Sequence, residues 1–474
     1  MATKKWGFWL LTAFVVGNMV GSGIFMLPSS LANTASPLGV TLAWLLTGLG
    51  VLMIALVFGN LSVRRPELTA GPQSYARALF TSRRAGNMAG FSMAWGCWIA
   101  NASGNVAIIT TFAGYLSTFF PIMKDERVLF TIGSFAVEMG KLTSFLVCSA
   151  LLWGINAILL RGLNGAGKLN FFATATKVLG FGLFIVASLY AFNAANLSEF
   201  YLPVTDEDGV VHGLGSQINL AALATLWAFV GIESAVIFSG RARSQRDVKR
   251  ATVTGLGIAL AIYIGITLLT MGVLPQEALK ASDKPLVDAL TAVIGSSGGT
   301  LMALLAVASL LGTSVGWILL SAEIPYQAAQ SGIFPRLFMK SNKHGSPSAS
   351  LIVTNVFSQL FVFSTISGTI AEAFAFVTVV ATLAYLIPYL VSAIYQLKLV
   401  ITGQTYNQEP GSRVKDGIIA FLAVAYSAWV IKSGTADLKT FGLGIGLFLL
   451  GFILYPLMSG STKKIEQPAN VVIE

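Results

Sequence analysis

The sequence predicts an all-α polytopic membrane protein of about twelve transmembrane helices, and three observations lead there. The 474 residues are 55% hydrophobic and 11% charged, with mean hydropathy +0.76, which is more continuous apolar surface than a soluble domain needs. The apolar residues gather into stretches long enough to cross a hydrocarbon layer of ~30 Å. Most of the 30 Lys and Arg fall in alternate loops, among them Arg64, Arg65, Arg83, Arg84, the run 241–250, Arg336, Lys340, Lys343, Lys463 and Lys464. The opposite loops carry more acid than base, notably Asp206, Glu207 and Asp208. That is the positive-inside pattern for an even number of spans with both termini cytoplasmic. It also accounts for the net charge of +10 as a topology signal, so nucleic acid is not expected as a partner.

The expected spans are 6–33, 38–63, 86–120, 142–160, 167–194, 218–240, 250–275, 297–330, 348–366, 370–396, 416–433 and 440–460. Lys4 and Lys5 precede an apolar run far longer than a signal-peptide core, so the first span is expected to stay. At its centre stands GNMVGSGIFMLP, Gly17 to Pro28. Gly costs roughly 1 kcal/mol more than Ala inside a helix, and clustered Gly lets the backbone unwind. Within a bilayer, unwound backbone survives only where protein or a water-filled cavity satisfies it. A helix restarting at the midplane presents free N–H groups and partial positive charge, which suits a carboxylate. The first span therefore points to a transport site for a small molecule with an anionic end.

Span two closes at Arg64-Arg65-Pro66. The following Glu67 to Phe80 is too polar to cross yet places Tyr75, Leu79 and Phe80 at helical spacing, as an inner re-entrant or interfacial segment would. Span three buries Asn101, Ser103 and Asn105 at membrane depth, where amides need a neighbouring helix or a cavity. Span four is plain apolar helix ending at Arg161. Span five carries Lys177, about two turns from its cytoplasmic start. A lysine at the bilayer centre costs roughly 2.5–3.5 kcal/mol on insertion scales, so it does not face lipid. It either snorkels to the inner interface or acts as an internal cation bracing two helices.

Span six reads TLWAFVGIESA, Thr225 to Ala235, again a Gly and polar residues in mid-span, now with the carboxylic acid Glu233. Five spans separate the two breaks, so the interrupted helices cross in opposite directions. This is the signature of an inverted 5+5 repeat, roughly 6–194 against 218–396. The transporter core then occupies 1–401, and 402–474 holds two additional spans and a cytoplasmic tail. Span eight contains Gly312 to Trp317 and, nearer the cytoplasm, Glu323. Span ten contains Phe374 and ends near Tyr385 and Tyr389. The last two spans read as an appendage for packing or subunit contact, as in a homodimer.

Several classes are excluded by the residues themselves. Cys97 and Cys148 lie in apolar spans and make no disulfide framework. His212 and His344 lie in loops, and no metal set, Walker motif, nucleophile triad or cofactor loop is present, so neither an enzyme nor a cofactor is expected. A channel would need a continuous polar lining, whereas polar residues here gather at the midplane.

GNMVGSGIFMLP resembles the first-helix motif of the amino acid–polyamine–organocation superfamily. WGCWIANASGNVA (95–107), TLWAFVGIES (225–234), SGRARSQRDVKRAT (239–252), GWILLSAEIPYQAAQSGIFPRLF (316–338) and LVSAIYQLKL (390–399) extend the likeness over nearly the whole chain. Together they are most similar to the basic amino acid/polyamine antiporters of the arginine/ornithine exchanger branch. The resemblance implies a LeuT-like fold with discontinuous helices 1 and 6. It implies that the substrate carboxylate meets Ser22, Gly23 and the backbone around Asn18 and Met19. The α-amino group would meet carbonyls of Trp227 and Val230, and Gly96, Cys97 and Asn101 would wall the distal group. Trp227 would cover the substrate from outside, and Trp317 would stack on the side-chain cation, worth roughly 0.5–2 kcal/mol once desolvated. For either Trp the alternative is ordinary packing.

By the same resemblance Glu233 is the acid linked to substrate or proton coupling; alternatively it is a structural acid between helices. Glu323, nearer the cytoplasm, is expected as a gate or packing partner, and Phe374 as a gating residue. Lys177 matches a fifth-helix lysine that fills the volume of a sodium ion in sodium-coupled relatives. Ala228 and Ala381 stand where some relatives carry serines, leaving fewer donors. The expected function is secondary transport in the cell membrane by alternating access, exchanging a cationic amino acid for a related amino acid or amine. The competing expectation is proton-coupled transport or exchange of small neutral amino acids.

Overall fold

The computed structural model describes residues 5–459 apart from 69–70, 133–134, 163, 198, 206–208, 238, 240–241, 408–410 and 437. The acidic run Asp206 to Asp208, Arg241, and Lys463 and Lys464 with the rest of the tail therefore lie outside the described residues. The chain is mostly helix. In order the helices are α1 (Phe8–Met19), α2 (Gly23–Thr34), α3 (Pro37–Arg64), α4 (Pro72–Leu79), α5 (Arg83–Leu116), α6 (Met139–Leu160), α7 (Asn164–Tyr190), α8 (Leu214–Trp227) and α9 (Ser234–Ile237). They continue as α10 (Gln245–Val273), α11 (Gln276–Lys280), α12 (Pro285–Gln330), α13 (Ser348–Val362), α14 (Ser364–Ser367), α15 (Ile370–Thr402), α16 (Arg413–Ser433) and α17 (Leu438–Ser459). Among the described residues eight helices are long and apolar enough to cross a bilayer, or nine when the bent pair α1 and α2 is counted as one. The protein is a multi-pass membrane protein.

Three parts of the chain depart from the expected elements. The loop after α5 folds into an antiparallel pair, β1 (Val128–Ile132) and β2 (Phe135–Glu138). A second, two-residue pair, β3 (Val204–Thr205) and β4 (Val211–His212), lies before α8. The helix expected to begin at 297 begins at Pro285 and turns at Ile294 and Gly295, where Gly295 adopts φ +78°, a conformation costly for residues with a Cβ. The polar segment before Phe80 holds a short helix, α4, whose Tyr75 is fully buried and stacked on Tyr395. Phe80 is exposed.

Close helix contacts explain the interior. α12 lies along α7 and α5, α15 along α5 and α16, and α10 along α3 and α1. α5 can pack so tightly because it is dotted with small residues, which let backbones approach in the absence of a hydrophobic drive between helices. Buried polar groups then fix register. Gln217 takes Ser36 N–H and Oγ–H on its amide oxygen (2.9 and 2.7 Å) and donates to the carbonyls of Leu202 and His212. It thereby pins the start of α8 to the start of α3.

The last two helices are joined to the rest by specific bonds. On α16, Asp416 is buried and paired with Arg64 of α3 at 2.8 Å, with Asn60 and Tyr406 donating to it at 3.0 Å each. The Tyr406 hydroxyl, pushed up to about 12 by burial and by the Asp416 carboxylate, stays protonated as a donor. On α17, the Leu447 carbonyl accepts from Trp95 Nε1 at 2.9 Å. Ile418, Phe421, Leu449 and Ile453 point away from the bundle and are exposed.

Candidate functional site

Two interrupted helices meet in the interior. α1 stops at Met19 and α2 starts at Gly23, with a bend of 44° between them. The N–H groups of Gly23 and Ile24 open α2 without intrahelical acceptors, as at any helix start. α8 stops at Trp227, and turns carry the chain to Ser234. Gly231 has φ +108°, and a Cβ there would meet the Asn18 backbone at 3.2 Å, so both conformation and space require glycine. Gly23 sits against the other break: its missing Cβ would lie 3.6 Å from Trp227 and 3.7 Å from the Ala228 backbone.

Side chains from other helices satisfy the freed carbonyls. Lys177 of α7 donates Nζ–H to the Val20 carbonyl at 2.5 Å and is buried. Its ammonium thus points at the first break rather than outward to the interface. Tyr263 of α10 lies within hydrogen-bond reach of both breaks, 2.5 Å from the Met19 carbonyl and 2.7 Å from that of Ala228. Its ring is held by stacking on Trp44, at 5.1 Å and 5°. Asn18 adds a second bridge by donating to Ser234 Oγ at 2.7 Å. Ser234 in turn donates to the Gly231 carbonyl at 2.5 Å.

Around this junction stand the other expected residues. Glu233 is buried; its Oε2 accepts from Tyr389 at 2.7 Å and from the Gly231 N–H at 3.2 Å. Asn101 donates to the Cys97 carbonyl at 2.7 Å and to Tyr385. Trp227 and Trp317 face each other with ring centroids 5.8 Å apart. Both fit because Gly104 lacks a side chain: a Cβ there would come within about 3 Å of each indole. Ser22 Oγ, Asn101 Oδ1, Glu233 Oε1 and Trp317 Nε1 are buried without hydrogen-bond partners. Orphaned polar atoms are costly in a native interior, and a polar guest within reach of these would satisfy them.

Other expected positions lie differently. Gly96 turns its missing Cβ toward Phe448 of α17 and the Ala384 carbonyl. The Trp227 carbonyl already accepts from the Val230 N–H at 3.1 Å. Glu323 is half-buried and accepts from Gln327 one turn later on its own helix. Phe374 is buried near the start of α15. Tyr263, Tyr389, Ser234 and Gly104 escaped assignment from sequence. A tyrosine inside an otherwise apolar helix, such as Tyr263, was the available signal, since its hydroxyl has to find a partner there.

Comparison with known proteins agrees in breadth. The amino acid permease family profile matches residues 7–456. A protein of Bacillus subtilis (strain 168), provisionally named an arginine/ornithine antiporter, is 64% identical over 98% of this chain and 99% of its own. The "Arginine/ornithine antiporter" of Pseudomonas aeruginosa is 35% identical over 100% of this chain and 94% of its own. The "Arginine/ornithine antiporter ArcD1" of Lactococcus lactis is 33% identical, covering 96% of this chain and 84% of its own. With the profile spanning nearly every helix and relatives aligned end to end, the chain belongs to the amino acid permease family of the amino acid–polyamine–organocation superfamily.

Proposed function

We propose that this antiporter exchanges arginine, or a similar cationic amino acid, for ornithine or a related amine, by alternating access around the junction of the two breaks. The observation that carries this reading is the pairing of opposite poles at one place. The free N–H groups of α2 suit a carboxylate, while the carbonyls of the 228–233 segment and the acid Glu233 suit cationic groups. Ser22, Gly23 and the Met19 backbone take the carboxylate, and Val230 with its neighbours takes the α-amino group. Asn101 and Cys97 wall the distal end, and Trp317 stacks on the side-chain cation. Trp227 and Phe374 gate, Glu323 gates from the cytoplasmic side, Glu233 couples, and Lys177 braces the first break. The names borne by the relatives support the arginine and ornithine pair.

The same reading counts α5, α7 and the pair α8 and α9 as spans beside the nine above, giving twelve in a 5+5 inverted repeat. Both termini are then cytoplasmic, 1–401 is the core and 402–474 the appendage through which two copies pair. Exchange of two solutes of equal charge moves no net charge, so the membrane potential, about 2.3 kcal/mol per charge per 100 mV, leaves it unbiased. The test is counterflow in proteoliposomes against arginine, ornithine, lysine, agmatine, alanine and serine. Arginine and ornithine drive uptake of labelled arginine, and alanine and serine do not. Competition by alanine and serine alone would replace this reading with exchange of small neutral amino acids. Trp317→Leu is expected to weaken the cationic substrates by roughly 2–30-fold and neutral ones less, the range that a desolvated cation–π contact supplies.

A further inference from the structure

Two adjoining cavities open where α3 ends and α10 and α16 begin. The larger, about 510 Å³, has Arg246, Lys249 and Arg250 above apolar walls from Leu56, Val63 and Val253. The smaller, about 310 Å³, shares Lys249, Leu56 and Val63 and adds Arg64, Lys415 and Asp416. Among the described residues the lining thus has five cations and a single carboxylate, and Asp416 is already held by Arg64, Asn60 and Tyr406. Lys249 donates to Asn60 at 2.7 Å and packs its stem where Gly59 leaves room. Arg246, Arg250 and Lys415 are exposed and have no carboxylate partner among the described residues.

The order along α10 is informative. Positions 246, 249, 250 and 253 lie on one helical face, cationic for a turn and apolar after it. That sequence of chemistries matches a lipid entering from the side: phosphate at the headgroup level, acyl chain deeper. A soluble anion would use the cations and have no need of the apolar wall. Basic pockets between helices at a membrane surface favour anionic headgroups by charge complementarity. We infer that this groove binds the phosphate of an anionic glycerophospholipid, with an acyl chain along Val253 and Leu56, bridging α3, α10 and α16. The inference stands whichever amino acid is exchanged.

The experiment uses the full chain, delipidated in a neutral detergent, titrated separately with phosphatidylglycerol, phosphatidylcholine and inorganic phosphate. Thermal unfolding followed by tryptophan fluorescence, and lipid retention by native mass spectrometry, are the readouts. Phosphatidylglycerol is expected to raise the midpoint and to stay bound, whereas phosphatidylcholine and phosphate do neither. R246Q/R250Q weakens the phosphatidylglycerol effect roughly 30-fold, and R246K/R250K retains it. Should the double variant not fold, R250Q alone reads the same effect at about fivefold. Equal stabilisation by phosphatidylcholine, equal stabilisation by phosphate alone, or undiminished phosphatidylglycerol binding in the glutamine variants would each overturn the inference.

Discussion

The two breaks solve one problem in different ways. The first is short, and its carbonyls are satisfied by side chains from distant helices, Lys177 and Tyr263. The helix that follows it, α2, is twelve residues long, so it presents a full helix start. The second break is longer and is organised largely from within, by turn hydrogen bonds, by Ser234 and by the Glu233 side chain. The helix after it, α9, is described over Ser234–Ile237. One break is therefore braced from outside, and the other carries its own acid. In the proposed function the two breaks take opposite ends of a zwitterion.

The sharpest way to break this comparison is at Gly23, where the two interruptions touch. Gly23→Val drives added methyls into Leu27, Trp227 and the Ala228 backbone, and arginine counterflow is expected to vanish. Retained affinity for carboxylate substrates would place the site elsewhere. Next in size, Lys177→Met removes the bracing donor and leaves the Val20 carbonyl unmet, a loss of about 1–3 kcal/mol. Thermal unfolding and uptake measured together should both fall; a stable, active variant would mean that the first break holds itself. Glu233→Gln exchanges a carboxyl oxygen for an amide group opposite Tyr389, a cost of about 1–2 kcal/mol. Its pH profile of exchange is expected to differ from that of the parent, and an unchanged profile removes Glu233 from coupling. The smallest effect belongs to Tyr263→Phe, about 1 kcal/mol, because of its two acceptors only the Ala228 carbonyl loses its donor while the Met19 carbonyl keeps its bond from the Gly21 N–H. If arginine affinity and turnover both stay at parental values, the hydroxyl does not link the breaks.

Both interruptions were legible because glycine clusters and polar residues are conspicuous within apolar runs. Lys177 and Glu233 stood out for the same reason, since a charge at membrane depth demands a partner. The partners themselves were not legible. Val20 offers a backbone carbonyl, which no residue type announces, and Tyr389 and Tyr263 read as ordinary aromatics until the helices are assembled. The 128–138 hairpin is built from short strands in a loop, below the length at which alternation is informative. The early start of α12 was hidden by Gly295, which reads as a loop residue but serves as a corner between two helical stretches. Asp416 sat at the edge of an expected span, and its buried pairing with Arg64 joins residues far apart in the chain.

A phenol owns one hydrogen, and two carbonyls compete for the one on Tyr263. Whichever carbonyl holds it, the other is momentarily released. The Met19 carbonyl keeps the Gly21 N–H when the phenol turns to Ala228, so the two interruptions are joined through a single hydrogen that one of them can give up.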